Sequence, residues 1–297
     1  MKISIMTLFP EMCETVLNES ILGRARKKGL FEVECINFRD YADNKHNRVD
    51  HILYGGGMGM LLQPEPIYRC YQAIAEKSAS RPHVIYLSPQ GQTFTQQKAR
   101  QLLSYDHLVL LCGHYEGVDE RVLEEIVDEE ISIGDFVVTG GELPALMVCD
   151  CILRMCDGVL SDRSCFEDES HYNGLLECPH YTRPPIWHGR AVPQVLQSGH
   201  HANIEDWRLQ KALERTRLKR PDLYEQYCAE HPEVLLPKKR RRPVRIKEKT
   251  LPSGAVGEPQ SNVLPGQTPA DLQTHSEEGS SIPLKKVSDS EKKHTDI

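Results

Sequence analysis

The chain has 297 residues, 39% apolar and 6% aromatic, enough for one large or two moderate domains with buried cores. No stretch approaches the roughly 20 apolar residues of a membrane span, and Pro10 and Glu11 interrupt the start MKISIMTLFPEMC where a signal peptide would continue, so a cytoplasmic protein is expected rather than a membrane or secreted one. Ten cysteines scattered from Cys13 to Cys228 fit reduced core thiols; Cys149, Cys151 and Cys156 crowd together without metal-ligand spacing, and no metal cage is expected.

The first feature along the chain is YGGGMGM at 54–60, where four glycines let backbone come close to a ligand. It has neither the GxGxxG nor the GxxxxGK[ST] spacing, and the preceding VDHIL is a poor strand, so a phosphate cradle is not the reading. Three later segments share one design. VIYL (84–87) feeds SPQG, LVLLC (108–112) feeds GHYEGVDER, and ISI (131–133) feeds GDFVVTGGELP. Helical patterns intervene in TQQKARQLLS from 95 and VDERVLEEIVDEE from 118, which together predict an α/β parallel sheet. Ligands of such sheets collect at the carboxyl ends of the strands. Glycine loops converging there without a phosphate fingerprint suit an uncharged or zwitterionic nucleoside. The alternative is that each glycine only turns the chain.

From Val159 to Trp187 the pattern becomes loop-like, and EDWRLQKALERTRLKRP then predicts a small helical, RNA-facing region with apolar Trp207, Leu209, Leu213 and Leu218 opposite Arg and Lys. Beyond Pro237 there is no aromatic residue, and the composition predicts disorder. The net charge of −7 conceals an asymmetry: residues 238–249 carry eight Lys or Arg against one Glu, residues 250–297 carry four against seven acids, and the remaining 237 residues sum to −11. The basic collar is either a polyanion contact or a solvated linker. PKKRRRP also mimics a nuclear localisation signal, a motif of low specificity.

LSPQG (87–91), CGHYEGVDER (112–121), SIGDFVVTGGELPA (132–145), GLLECPHYTRP (174–184) and SGHH (198–201), in this order and spacing, resemble the bacterial-type tRNA (guanine-N1)-methyltransferase family, TrmD, over roughly residues 1–236. The resemblance implies a SPOUT-type, trefoil-knotted parallel-sheet domain (1–160) that binds S-adenosylmethionine. It further implies an interdomain active-site loop (161–187), a small helical tRNA-binding domain (188–236) and a tail (237–297). It implies a homodimer with shared active sites, tRNA as partner, no DNA, and methyl transfer to N1 of guanosine 37 beside the anticodon.

Carried over by position, the donor contacts are Tyr86, Leu87, Ser88, Pro89 and Gln90 from the first loop, and Gly113, Tyr115, Glu116 and Gly117 from the second. The third contributes Ile133, Gly134, Asp135, Phe136, Val137 and Val138, then Gly140, Gly141 and Pro144. The guanine side takes His46, Tyr54, Gly55, Gly56, Gly57 and Gly59, where a flipped base approaches glycine backbone. Met58 stands where the family usually has proline, and His114 where it often has arginine.

Guanine N1 carries a proton, so the chemistry needs a base at N1 and a cation near O6. Arg154 is the family's cation, although Asp150 one turn earlier also allows an ordinary i, i+4 ion pair. The base position falls on Glu169, with Asp168 beside it, where the family has Asp. Whether Arg154 and Glu169 serve a site from one chain or two is open at this stage. Methyl transfer from a sulfonium requires no metal; Mg²⁺ could assist, with no site fixed by the sequence. Two other readings are a knotted RNA methyltransferase of different target and a non-catalytic RNA-binding protein. Arg154, Glu169 and GLLECPHYTRP discriminate the first, and donor binding the second.

The collar reading is tested by two truncations. Ending the chain after Thr250 should leave kcat/KM for tRNA nearly unchanged, whereas ending it after Pro237 should raise KM and flatten its salt dependence. Equal salt slopes would sink the collar as a tRNA contact.

Overall fold

KISIMT forms strand β1 (Lys2–Thr7) with five of six side chains buried, the near-continuous burial of a parallel strand covered on both faces. The structure, a computed structural model, describes residues 1–235. Helix α1 (Pro10–Leu17) begins with proline at its first position, where the missing N–H is not needed. Helix α2 (Ser20–Lys27) and strand β2 (Glu32–Asn37) follow, then a 3₁₀ turn at Phe38–Tyr41. Strands β3 (Asp50–Ile52) and β4 (Met60–Leu62) make an antiparallel hairpin around the glycine stretch. Next come α3 (Pro64–Glu76), β5 (His83–Thr93), α4 (Gln96–Leu102), β6 (His107–Cys112), α5 (Glu120–Ile126), β7 (Glu129–Ser132) and α6 (Glu142–Leu153). The expected α/β architecture is present as a five-stranded, all-parallel sheet in the order β2-β1-β6-β5-β7.

The strand period of two sorts the core. Ile3, Ile5, Leu108 and Leu110 point to one face, where they meet Val148 and Ile152 of α6; Met6, Val109 and Leu111 point to the other, against Ile67 and Ile74 of α3. Within β5 the pairing with β7 jumps: Leu87 and Gln92 both stand opposite Ile131, so Ser88–Gly91 leave the strand as a loop before pairing resumes. Gly91 permits this, because a Cβ there would lie 2.4 Å from the carbonyl carbon of Glu130.

After α6 come the short α7 (Ser164–Glu167), a two-residue-per-strand hairpin of β8 (Ile186–Trp187) and β9 (Arg190–Ala191), and α8 (Gln194–Gln197). Helices α9 (His201–Lys219) and α10 (Pro221–Glu230) pack on each other. They attach to the preceding chain by hydrogen bonds from Leu176 N–H to buried Thr216 Oγ1 (2.9 Å) and from Arg215 Nη1 to the Glu177 carbonyl (3.0 Å).

Two sequence expectations change. The acidic helix from 118 ends at Ile126, and Glu129 and Glu130 become strand β7. Tertiary pairing overrides propensity here, since Asp128 Oδ2 accepts from Val84 N–H (2.8 Å) and Glu129 is held by Lys98 and His83. VDHIL does carry a short strand, because β4 supplies its partner. The expected disorder beyond Pro237 and the basic collar at 238–249 lie outside the described residues.

Gly91→Ala should destabilise the fold by about 1–3 kcal/mol, because the contacting atoms are backbone of the neighbouring strand and cannot move aside. Chemical denaturation of the two proteins checks it. A midpoint equal to wild type would show that the Ser88–Gly91 loop is not clamped by β7.

Candidate functional site

Three loops meet at the carboxyl end of the sheet and enclose a cavity of about 380 Å³, within the range of small-molecule sites. The first is the loop extruded from β5. The second, following β6, turns at Tyr115 (φ +58°) and Gly117 (φ +118°). The third, between β7 and α6, reverses at Gly134 (φ +144°), whose carbonyl accepts from Phe136 N–H (2.8 Å) and from Ser132 Oγ (2.9 Å). Loops two and three are stitched together by Gly141 N–H to the Gly113 carbonyl (2.9 Å). Gly141 must be glycine for this: its Cβ would sit 2.6 Å from Cys112 Cα.

Of the expected donor-binding residues, all but Gly134 and Asp135 line the cavity. Gly134 shapes the turn instead. The structure adds His114, Glu120, Glu130 and Thr139, among others, to the lining. Glu120 was one of the residues of VDER that the sequence offered as shaping this pocket, against the alternative of a plain acidic helix, whereas Glu130 was missed because the acidic helix pattern hid the start of strand β7. Their consequence is electrostatic. Glu116, Glu120 and Glu130 all line the cavity and no Lys or Arg does, a charge environment that repels phosphate and attracts a cation. Burial, then the nearby Glu130 and Glu120 carboxylates, pushes the Tyr86 phenol up to about 12, so it stands in the wall as a neutral hydrogen-bonding group.

Beneath the cavity lies a buried acid. Glu142, in the first turn of α6, accepts from Thr7 Oγ1 (2.7 Å), which in turn accepts from Phe9 N–H (2.9 Å). This ties the end of β1 to the start of α6. Beside it, His114 Nδ1 is buried without a hydrogen-bond partner among the described residues.

The glycine hairpin of β3 and β4 joins the same corner. Gly55, Gly56, Gly57 and Gly59 all have positive φ, which explains four glycines in six positions. A Cβ on Gly59 would meet Glu116 Oε1 at 2.4 Å, and Glu116 N–H donates to the Met60 carbonyl (3.0 Å). What this loop approaches is therefore the Glu116 loop of the cavity. Tyr54 and Gly55–Gly57 are exposed at its tip, while His46 lies in a separate exposed turn, its N–H donating to Asn44 Oδ1 (3.3 Å).

Arg154 and Glu169 form a bidentate pair, Nη1 to Oε2 at 2.5 Å and Nη2 to Oε1 at 2.9 Å. The carboxylate holds the guanidinium pKa up. The side chain of Arg154 thus turns to Glu169 and not to Asp150, whose carbonyl only accepts from the Arg154 N–H (3.2 Å). Asp168, the C-cap of α7, is exposed. The pair is not at the cavity. Arg154 follows the last residue of α6 and the cavity residues Gly141 and Pro144 flank its first turn, so twelve residues at about 1.5 Å rise place them about 18 Å apart along the helix.

Residues 1–226 match the family model described as tRNA (Guanine-1)-methyltransferase TrmD. The chain is 57% identical over 224 residues to the tRNA (guanine-N(1)-)-methyltransferase of Ruminiclostridium cellulolyticum, covering 75% of this chain and 96% of the relative. It is 52% identical over 223 residues to that of Bacillus subtilis strain 168, covering 75% and 92%. With the protein of the same name from Lachnospira eligens it shares 53% identity over 231 residues, or 78% and 98%. The chain therefore belongs to the TrmD family and is a tRNA (guanine-N1)-methyltransferase, with tRNA as its substrate and S-adenosylmethionine as the methyl donor its class uses.

The cavity fits that donor, whose sulfonium and ammonium are cations and whose nucleoside needs close backbone. Gly141→Ala should then weaken S-adenosylhomocysteine binding at least tenfold in calorimetry, because the new methyl forces loops two and three apart. Wild-type affinity in that variant would place the donor elsewhere.

Proposed function

Proceeding from that family membership, we propose that the chain methylates N1 of guanosine 37 in tRNA, as a twofold homodimer whose active sites each draw on both subunits. The observation that carries this reading is the separation of the two halves of the chemistry by the length of α6. One chain holds a donor cavity at the amino end of α6 and a base–cation pair at its carboxyl end, too far apart to act on one guanine. A second copy packed antiparallel along α6 brings its own pair to the first copy's cavity.

The surface supports such packing. Met12 and Val16 on α1 and Leu143 and Met147 on α6 are exposed, Val16 by 50% and Met147 by 54%, with Phe9 exposed beside them, and α1 packs on α6. An apolar face of this kind on two adjacent helices suits an isologous contact. We place the donor residues in the cavity as assigned above and the guanine against the glycine hairpin, with His46 at its outer edge. Residues 1–160 serve as the donor-binding domain, 161–187 as the active-site loop and 188–236 as a tRNA-binding helical domain. The third loop runs from the sheet edge at β7 back beside the second loop to α6 against β1, a path that supports the trefoil knot. A cytoplasmic location follows from the tRNA substrate, and no described helix is long and apolar enough to cross a membrane.

S-adenosylmethionine, when bound, supplies an electrophilic methyl on a positively charged sulfur. Everything else falls to the protein. Guanine presents an acceptor, O6, beside a donor, N1–H; Arg154 and Glu169 present a donor beside an acceptor. The pair is thus complementary to the guanine edge, whereas adenine places a donor and an acceptor the other way round. Glu169 takes the N1 proton and Arg154 holds the charge that collects on O6. Their mutual hydrogen bonds fix both side chains before substrate arrives, and orientation is where most of the acceleration originates. Asp168 faces solvent and plays no part in the proton transfer.

Glu169→Gln should lower single-turnover kcat by about 10²-fold or more with donor binding intact. Its stability should fall by no more than about 1 kcal/mol, because both partners of the ion pair are partly exposed. Asp168→Asn should cost little, and Glu169→Asp should keep partial activity. A dead Asp168→Asn beside an active Glu169→Gln would move the base to Asp168.

A further inference from the structure

From His180 to Ala191 twelve consecutive residues are exposed, among them Tyr181, Ile186, Trp187 and two arginines. The segment belongs to a longer run, Cys178 to Ile204, that has no Asp or Glu and includes four histidines. Residues 1–237 sum to −11, so an acid-free run of 27 residues stands out against its surroundings. The side chains of Arg183 and Arg190 have no hydrogen-bond or ion-pair partner among the described residues, whereas those of Arg208 and Arg220 nearby in sequence are both paired.

The hairpin at its centre presents its aromatic side chain by construction. His188 (φ +47°) and Gly189 (φ +74°) form the two-residue turn, with Trp187 opposite Arg190 and Ile186 opposite Ala191. Positive φ at both central residues is the turn geometry that matches strand twist. Trp187 and Arg190 are a cross-strand pair on one face. Trp187 is 60% exposed and Ile186 63%, and the His188 ring stands roughly perpendicular to the indole at 4.4 Å (87°), bracing it while most of the indole stays open to solvent. An exposed indole plane, flanked by free guanidinium groups and fixed on a tight hairpin, combines the two elements of single-stranded RNA recognition: a stacking platform and phosphate-binding cations.

We propose that the Trp187 hairpin is a base-stacking contact for an unpaired nucleotide of the tRNA substrate, with Arg183 and Arg190 on the adjoining phosphates. This rests on the tRNA reading of the site and adds to it a binding determinant distinct from Arg154 and Glu169. An apolar partner protein fits less well, because its docking would leave two guanidinium groups unpaired at the rim.

The chain has two tryptophans, Trp187 and Trp207, so Trp207→Phe leaves Trp187 as the one indole reporter. Titrating that variant with a tRNA transcript should quench its fluorescence saturably, while heparin, a polyanion without bases, should not. In steady-state kinetics Trp187→Ala should raise KM for tRNA about tenfold, the scale of one lost base stack, with kcat and S-adenosylhomocysteine affinity unchanged. Trp187→Tyr should recover most of the loss, which separates stacking from hairpin folding. Arg183→Ala and Arg190→Ala should each reduce the salt slope by about 1. An unchanged tRNA KM in Trp187→Ala, or equal quenching by heparin, would overturn the proposal. Methylation of the same transcript by the wild-type chain reports separately on the activity itself.

Discussion

The length of helix α6 governs how this enzyme is built. Its amino end closes the cavity at the carboxyl end of the sheet and its carboxyl end carries Arg154, with a span of about 18 Å between them set by the helical rise alone. Neither end can shift, because Val148, Cys149, Ile152 and Leu153 are fully buried against the sheet, and Glu142 is anchored to Thr7. On the proposed assignment of donor and base–cation pair to its two ends, this rigid strut calls for a second copy beside it. The exposed apolar faces of α1 and α6 provide the surface for that contact. In the proposed dimer, twofold symmetry would yield two complete sites from two incomplete ones.

Close approach of backbone recurs as the means by which the loops are placed. Gly91 lets β7 lie against the loop extruded from β5, Gly141 lets loop three reach loop two, and Gly59 admits the Glu116 side chain under the glycine hairpin. Each of these contacts leaves no room for a methyl group. The result is a cavity shaped by main chain and charged by carboxylates, suited to a cationic nucleoside, while the Arg154–Glu169 pair and the Trp187 hairpin, proposed to meet RNA, lie outside it.

Much of this was legible in the sequence. The runs VIYL, LVLLC and ISI carry the strand signal, and the glycine loops after them imply convergence at one sheet end, where the cavity is found. Glu130 was hidden, because an acidic stretch reads as a solvated helix until β5 pairs with Glu129 and Glu130. The Arg154–Glu169 pair could not be read from spacing: fourteen residues of loop and short helix lie between them, and Asp150 offered a simpler partner. The fold that the family resemblance implies also lies beyond periodicity, since local pattern does not encode the path of a chain around its own loops. The aromatics of the 159–187 stretch pointed to an ordered, functional loop, but that Trp187 faces solvent rather than packing shows only in three dimensions.

Mixed dimers test the shared site most directly. Pairing a Gly141→Ala subunit with an Arg154→Ala subunit leaves one intact cavity facing one intact Arg154–Glu169 pair, so the purified heterodimer should recover about half the wild-type activity. Pairing Arg154→Ala with Glu169→Gln damages the same functional half in both chains and should recover none. Activity in the second heterodimer but not the first would contradict assembly of each site from the cavity of one subunit and the ion pair of the other.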